Sequence, residues 1–158
     1  MMQVKTLIES VKNAGEAMAY KMLVVDDSLP MRSIIIRTIK ASGFSNAEFL
    51  QAGNGKEALE VLENEWVDLV VTDYNMPDMN GMELISEMKG DDILNAIPVL
   101  VITTEGSQKK VDEFIERGAA GYIKKPFTPE AIRTQLAKIL GEVEDDGSFE
   151  DSNDDVDF

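Results

Sequence analysis

Between residues 20 and 141 the chain alternates short apolar runs with longer stretches in which apolar residues recur every three or four positions. The runs are Met22–Val25, Leu69–Thr72, Val99–Thr103 and Ala120–Lys124, with a weaker one near Ala47–Gln51. A strand that is apolar throughout, and not only at every second residue, is buried on both faces, as in a parallel sheet packed between helices. The periodic stretches predict five helices. The first carries Ile34, Ile35 and Ile39, opens at a Ser28 cap with Pro30 in its first turn, and stops at Gly43. The second presents Ala58, Leu59 and Leu62 on one face and ends before Trp66; the third carries Met82, Leu84, Ile85 and Met88. The fourth carries Val111, Phe114 and Ile115 and ends at Gly118. The last runs from a Thr128 cap and Pro129 through Ile132, Leu136 and Ile139 to Gly141. Five strand–helix units of this size give an α/β fold, a doubly wound five-stranded parallel sheet.

The two ends of the chain differ in pattern. Val4, Leu7, Ile8, Val11 and Ala14 recur at helical spacing and predict an added amphipathic helix over residues 3–18. Residues 142–158 are rich in Asp, Glu, Ser, Asn and Gly, which predicts a disordered acidic tail. The expected division is an N-terminal helical extension at 1–19, one α/β domain at 20–140 and the tail at 141–158.

Charge sharpens the picture once it is divided. The net charge is −15, but residues 141–158 hold nine acids and no base, so the other 140 residues carry only −6. An acidic surface repels phosphates, so no nucleic-acid partner is expected. Cysteine and histidine are both absent, which removes disulfides, thiolate metal sites and nucleophile–base pairs built on those residues. No apolar run reaches the length of a membrane span, and Glu9, Lys12 and Glu16 interrupt any secretion signal. No membrane insertion and a cytoplasmic location are expected.

The candidate chemistry lies where the predicted strands end. Asp26 and Asp27 close the first run, Asp73 the third, Thr103 the fourth, and Lys125 follows the fifth. Doubly wound folds bind ligands beyond the carboxyl ends of their strands, near the point where strand order reverses. Three carboxylates gathered there are unfavourable unless a divalent cation or a proton sits among them. A carboxylate can attack phosphorus to give an acyl phosphate, provided the charges on both groups are screened. Mg²⁺ supplies that screening through a few oxygen ligands. Asp73 is then the nucleophile, Asp26 and Asp27 help hold the metal, Lys125 offers a mobile positive charge and Thr103 a hydroxyl donor.

The chain resembles response-regulator receiver domains, and among them the stand-alone receivers of chemotaxis. The resemblance spans roughly residues 20–140. It is carried in order by Val24-Val25-Asp26-Asp27-Ser28, Met31-Arg32, the stretch from Thr72 to Gly81, Pro98 to Thr103, and Gly118 to Phe127. It implies a flavodoxin-like sheet of strand order 2-1-3-4-5 and a histidine kinase that phosphorylates Asp73. It also implies Mg²⁺ bound by Asp26, Asp27, Asp73 and the backbone carbonyl of Asn75, and a cis Lys125–Pro126 bond. Tyr122 matches a switch aromatic coupled to Thr103. Asn75 and Glu105 match positions that tune hydrolysis of the acyl phosphate, which implies a short-lived phosphorylated state. The implied partners are the kinase, a flagellar motor-switch protein or another phosphorylation-dependent target, and a phosphatase.

Other functions fit less well. A phosphorelay intermediate that passes its phosphoryl group to a histidine phosphotransfer protein would use the same residues. A haloacid-dehalogenase-type phosphatase places its two acids one residue apart on the first strand, whereas Asp26 and Asp27 are adjacent. A flavodoxin-like FMN carrier would want hydroxyls, not aspartates, after that strand. The expected role is a phosphorylation-dependent binding switch, not an enzyme acting on external substrates.

Overall fold

The computed structural model describes residues 19–141; the helix expected over 3–18 and the tail expected over 142–158 lie outside the described residues. Five strands, β1 (Lys21–Val25), β2 (Glu48–Ala52), β3 (Leu69–Asp73), β4 (Val99–Thr103) and β5 (Gly121–Lys124), form one sheet of order β2-β1-β3-β4-β5. Every neighbouring pair is parallel. The helices are α1 (Leu29–Ala41), α2 (Gly55–Asn64), α3 (Gly81–Lys89), α4 (Gln108–Glu116) and α5 (Pro129–Leu140), with a 3₁₀ turn at Leu94–Ala96.

Alternation along the strands divides the core between the two faces of the sheet. Leu23, Val25, Val70, Val99 and Val101 pack with Ala58, Leu62, Leu84, Ile85, Met88 and Phe114 from α2, α3 and α4. Met22, Val24, Leu69, Val71, Leu100 and Ile102 pack with Ile35, Ile39, Ile132 and Leu136 from α1 and α5. Right-handed crossovers put α1 on one face and α2–α4 on the other, because the chain first moves one way along the sheet and then reverses. The reversal falls between β1 and β3, whose carboxyl ends are therefore neighbours.

Local chemistry fixes the helix starts. Ser28 and Thr128 accept backbone N–H groups of Met31 and Ala131, with prolines in the first turn of each helix. Asn80 and Glu83 form a reciprocal capping box at α3. The small departures from expectation are at strand ends. β2 runs one residue later than 47–51, because as an edge strand with two exposed positions it has the weakest apolar signal. β5 starts at Gly121 and not at Ala120, and β1 and β3 each gain one residue. At the amino end of the sheet, the Tyr20 hydroxyl donates to the Leu140 carbonyl at 3.3 Å.

Candidate functional site

Where β1 ends, the chain turns directly into α1. The Asp26 N–H still belongs to the sheet, donating to the Ala52 carbonyl at 3.1 Å. Its side-chain Oδ1 accepts the Ser28 N–H at 2.9 Å, closing a local turn. The Asp26 carbonyl accepts from Nη1 of Arg32, one turn into α1, at 2.6 Å, and Nε of the same guanidinium donates to Gln51 on β2 at 2.8 Å. Its remaining oxygen, Oδ2, is buried and has no hydrogen-bond partner.

The loop after β3 is folded back by short contacts. Gly81 donates its N–H to the Tyr74 carbonyl at 2.8 Å, and Met79 donates to Pro77 at 2.7 Å across Asp78, whose φ of +71° makes a three-residue turn. A side chain at Gly81 would meet the Asp73 carbonyl oxygen at 2.8 Å, so the loop can lie this close to β3 only with glycine there. Tyr74 is held in turn by α4: the Lys110 ammonium lies 5.0 Å from its ring centroid and 3.3 Å from its hydroxyl.

Asp26, Asp27 and Asp73 come together. Each offers a carboxylate oxygen, and those atoms lie within 4.8 Å of one another. Lys125 projects into the group, its Nζ 3.0 Å from Asp73 Oδ1 and 4.0 Å from Asp26 Oδ2. It follows β5, where its N–H donates to the Thr103 carbonyl at 2.7 Å and its bond to Pro126 is cis, as expected. Asp26 and Asp73 are only 2% and 5% exposed. Burial pushes both carboxyls above the ordinary aspartate range; the Ser28 N–H partly offsets this for Asp26, and Lys125 does so for Asp73.

Magnitudes show what the group lacks. At an effective dielectric near 20, like charges 4–5 Å apart repel by roughly 3–4 kcal/mol per pair, and the two Lys125 contacts return a similar amount each. Three repulsions against two attractions leave a net repulsion, and the desolvation of Asp26 and Asp73 adds to it. A hard divalent cation would offset it. The donor set fits one: carboxylate oxygens only, one of them buried and without a hydrogen bond, at a spacing a single ion can span.

The other residues singled out from sequence lie around this group without joining it. Thr103 is fully buried at the end of β4, and its hydroxyl oxygen accepts the Glu105 N–H at 2.8 Å. Tyr122 pairs with Val101 across the β4–β5 ladder and packs, partly buried, on the α2–α4 side of the core. Asn75 and Glu105 are exposed. Among the described residues, neither these two nor Tyr122 makes a side-chain hydrogen bond or ion pair with the carboxylates. Sequence reasoning missed Arg32 as a contact of the cluster and Lys110 as a contact of Tyr74.

The profile of the response regulator receiver domain matches residues 22–137. The chain is similar to chemotaxis protein CheY1 of Helicobacter pylori, at 41% identity over 122 residues, which is 77% of this chain and 97% of that protein. It is 39% identical over 131 residues to the chemotaxis protein CheY homolog of Campylobacter jejuni, covering 82% of this chain and 99% of that one. Its fold is similar to the structure of the chemotaxis response regulator CheY4 of Vibrio cholerae, with a TM-score of 0.70 and 33% identity, over 77% of this chain and 99% of the other.

Proposed function

The chain belongs to the response-regulator receiver family, and from that premise we propose that it is a CheY-like chemotaxis switch phosphorylated on Asp73 by a histidine kinase. The observation that carries this reading is the buried Asp73 carboxylate paired with Lys125 at 3.0 Å, beside an Asp26 oxygen that has no hydrogen-bond partner.

In the proposed reaction a carboxylate oxygen of Asp73 attacks the phosphorus of a phosphohistidine on the kinase. The P–O bond forms as the P–N bond breaks, and the departing imidazole nitrogen keeps the electron pair. Asp26, Asp27, Asp73 and the Asn75 carbonyl would hold Mg²⁺, which when bound offsets the charge of the carboxylates and of the incoming phosphoryl oxygens. Lys125 moves from the Asp73 carboxylate to a phosphoryl oxygen, a short step for an ammonium on a flexible stem. The Thr103 hydroxyl, whose oxygen already accepts the Glu105 N–H, donates its proton to another phosphoryl oxygen.

The output is a change of surface. Drawing Thr103 toward the new charge opens space for Tyr122 on the adjacent strand to move inward, so phosphorylation biases two arrangements of the same face. Asn75, two residues beyond Asp73, and Glu105, two beyond Thr103, are both exposed and in this reading set the rate at which water removes the phosphoryl group. The protein acts as a signalling switch whose chemistry is confined to its own Asp73. The names of its relatives support a chemotaxis role; the target proposed for it is a flagellar motor-switch protein, with a phosphatase to reset it.

Incubation with acetyl phosphate and Mg²⁺, followed by intact mass measurement, tests the chemistry. Wild type gains one phosphoryl group and Asp73→Asn gains none; no gain by wild type overturns the reading. Binding to a motor-switch peptide, with and without a phosphoryl mimic, tests the output. Absence of phosphoryl-dependent binding would favour the phosphorelay role.

A further inference from the structure

Asp27 is exposed, and its carboxylate makes no hydrogen bond or ion pair among the described residues. With no side-chain bond to hold it, its place within 4.8 Å of Asp26 and Asp73 depends on where its backbone is held. The peptide that leads into Asp27 begins with the Asp26 carbonyl, and that carbonyl is gripped by Arg32 Nη1 at 2.6 Å. The grip is itself anchored, because Arg32 Nε donates to Gln51 at 2.8 Å. Gln51 is the β2 neighbour of Val24 in the β1–β2 ladder. A guanidinium is a rigid planar fork, so fixing one nitrogen from β2 fixes the direction of the other.

We propose that Arg32, anchored by Gln51, is a positioning residue for the metal site: it orients the Asp26–Asp27 peptide so that both carboxylates face Asp73. This rests on the receiver reading above and adds to it a residue outside the carboxylate group. Three backbone and side-chain hydrogen bonds hold Asp26, to Ala52, Ser28 and Arg32, and leave Oδ2 without a hydrogen bond, 4.0 Å from Lys125 Nζ. Only the Arg32 tie acts on the peptide that Asp26 shares with Asp27. Lysine at position 32 would keep the positive charge near the carboxylates but could not hold the carbonyl and Gln51 together at fixed angles.

The test is calorimetric titration of Mg²⁺ into the full chain, comparing wild type with Arg32→Lys and Gln51→Leu. A second measurement follows the rate of phosphoryl uptake from acetyl phosphate as Mg²⁺ is varied. Partners that orient metal ligands typically contribute ten-fold or more to affinity, so Arg32→Lys is expected to bind Mg²⁺ about ten-fold more weakly. Gln51→Leu, an exposed edge-strand substitution that leaves the core intact, weakens binding in the same direction and by less. In both variants the uptake rate at saturating Mg²⁺ approaches that of wild type, because the nucleophile is untouched. Wild-type affinity in Arg32→Lys would reduce the residue to a nearby charge and overturn the proposal. Loss of uptake at saturating Mg²⁺ with unchanged affinity would also overturn it. If wild type itself binds no Mg²⁺ and takes up no phosphoryl group, the receiver reading fails and the positioning role falls with it.

Discussion

The ammonium of Lys125 stands 3.0 Å from Asp73 and 4.0 Å from Asp26, so one cation divides its charge between two buried acids. Neither acid is fully compensated, and both are harder to ionise than an ordinary aspartate because burial strips them of water. Removing a carboxylate charge should therefore relieve the fold and cost it only the site.

Asp26→Asn keeps an oxygen for the Ser28 N–H but no longer carries charge. In EDTA it is expected to raise the stability of the protein by about 1–2 kcal/mol, as replacement of a poorly compensated buried charge does. Adding Mg²⁺ should stabilise wild type and leave the variant nearly unchanged. Urea denaturation with and without the metal checks both statements.

The pH dependence has a definite sign. Asp26 and Asp73 titrate higher in the folded state than in the unfolded chain, so the folded protein binds the extra protons. Their contribution to metal-free stability is unfavourable at neutral pH. It is relieved as pH falls through the raised folded values toward the ordinary aspartate range. Mg²⁺ needs the ionised carboxylates, so its stabilising increment shrinks over the same interval. Melting temperatures from neutral to mildly acidic pH, read as the difference between wild type and Asp26→Asn, isolate the Asp26 contribution from the other acids.

Gly81→Ala puts a methyl group 2.8 Å from the Asp73 carbonyl oxygen and 3.1 Å from the Tyr74 Cα. Backbone must move to admit it. The expected cost is about 1–3 kcal/mol, with weaker Mg²⁺ binding as the loop beside Asp73 is displaced. Chemical denaturation and metal titration on the same sample measure the two effects.

Asn80→Ala removes one half of the capping box at the start of α3 and leaves the Glu83 N–H without its partner. A loss of about 1 kcal/mol is expected, with no change in phosphoryl uptake once the protein is folded. That separation distinguishes a stabilising cap from a residue of the site.

Lys110→Met removes the ammonium from Tyr74 while keeping the length of the side chain. It is expected to speed amide hydrogen exchange in the first turn of α4, where Lys110 sits, and to leave β4 protected. Peptide-resolved exchange, with Tyr74→Phe as the milder variant, reads this directly.

What the sequence disclosed, and what it hid, follows from how each feature is encoded. β3 and β4 are buried at all five positions, and their runs announced them. The weak apolar signal of β2, partly exposed at the edge, puts it one residue early. Asp26, Asp27, Asp73 and Lys125 were legible as a group because each ends or follows a strand, and parallel pairing brings those ends together whatever lies between. Asn75, Glu105 and Tyr122 came only with the family resemblance. The bonds from Arg32 to Gln51 and from Lys110 to Tyr74 join residues 19 and 36 positions apart. They leave no periodic trace and depend on which elements become neighbours. The Asn80–Glu83 box does carry a local signal beside the apolar positions of the third helix.

The hydrogen bond between Tyr20 and Leu140 brings the first strand's entry and the last helix's exit to one pole of the domain. Asp26 lies at the other end of β1, six residues on, which at the rise of a strand is about 20 Å away. A fluorophore or tether grafted at either junction would hang from the pole remote from phosphoryl chemistry. Two such grafts would sit side by side and report on each other without shading the carboxylates.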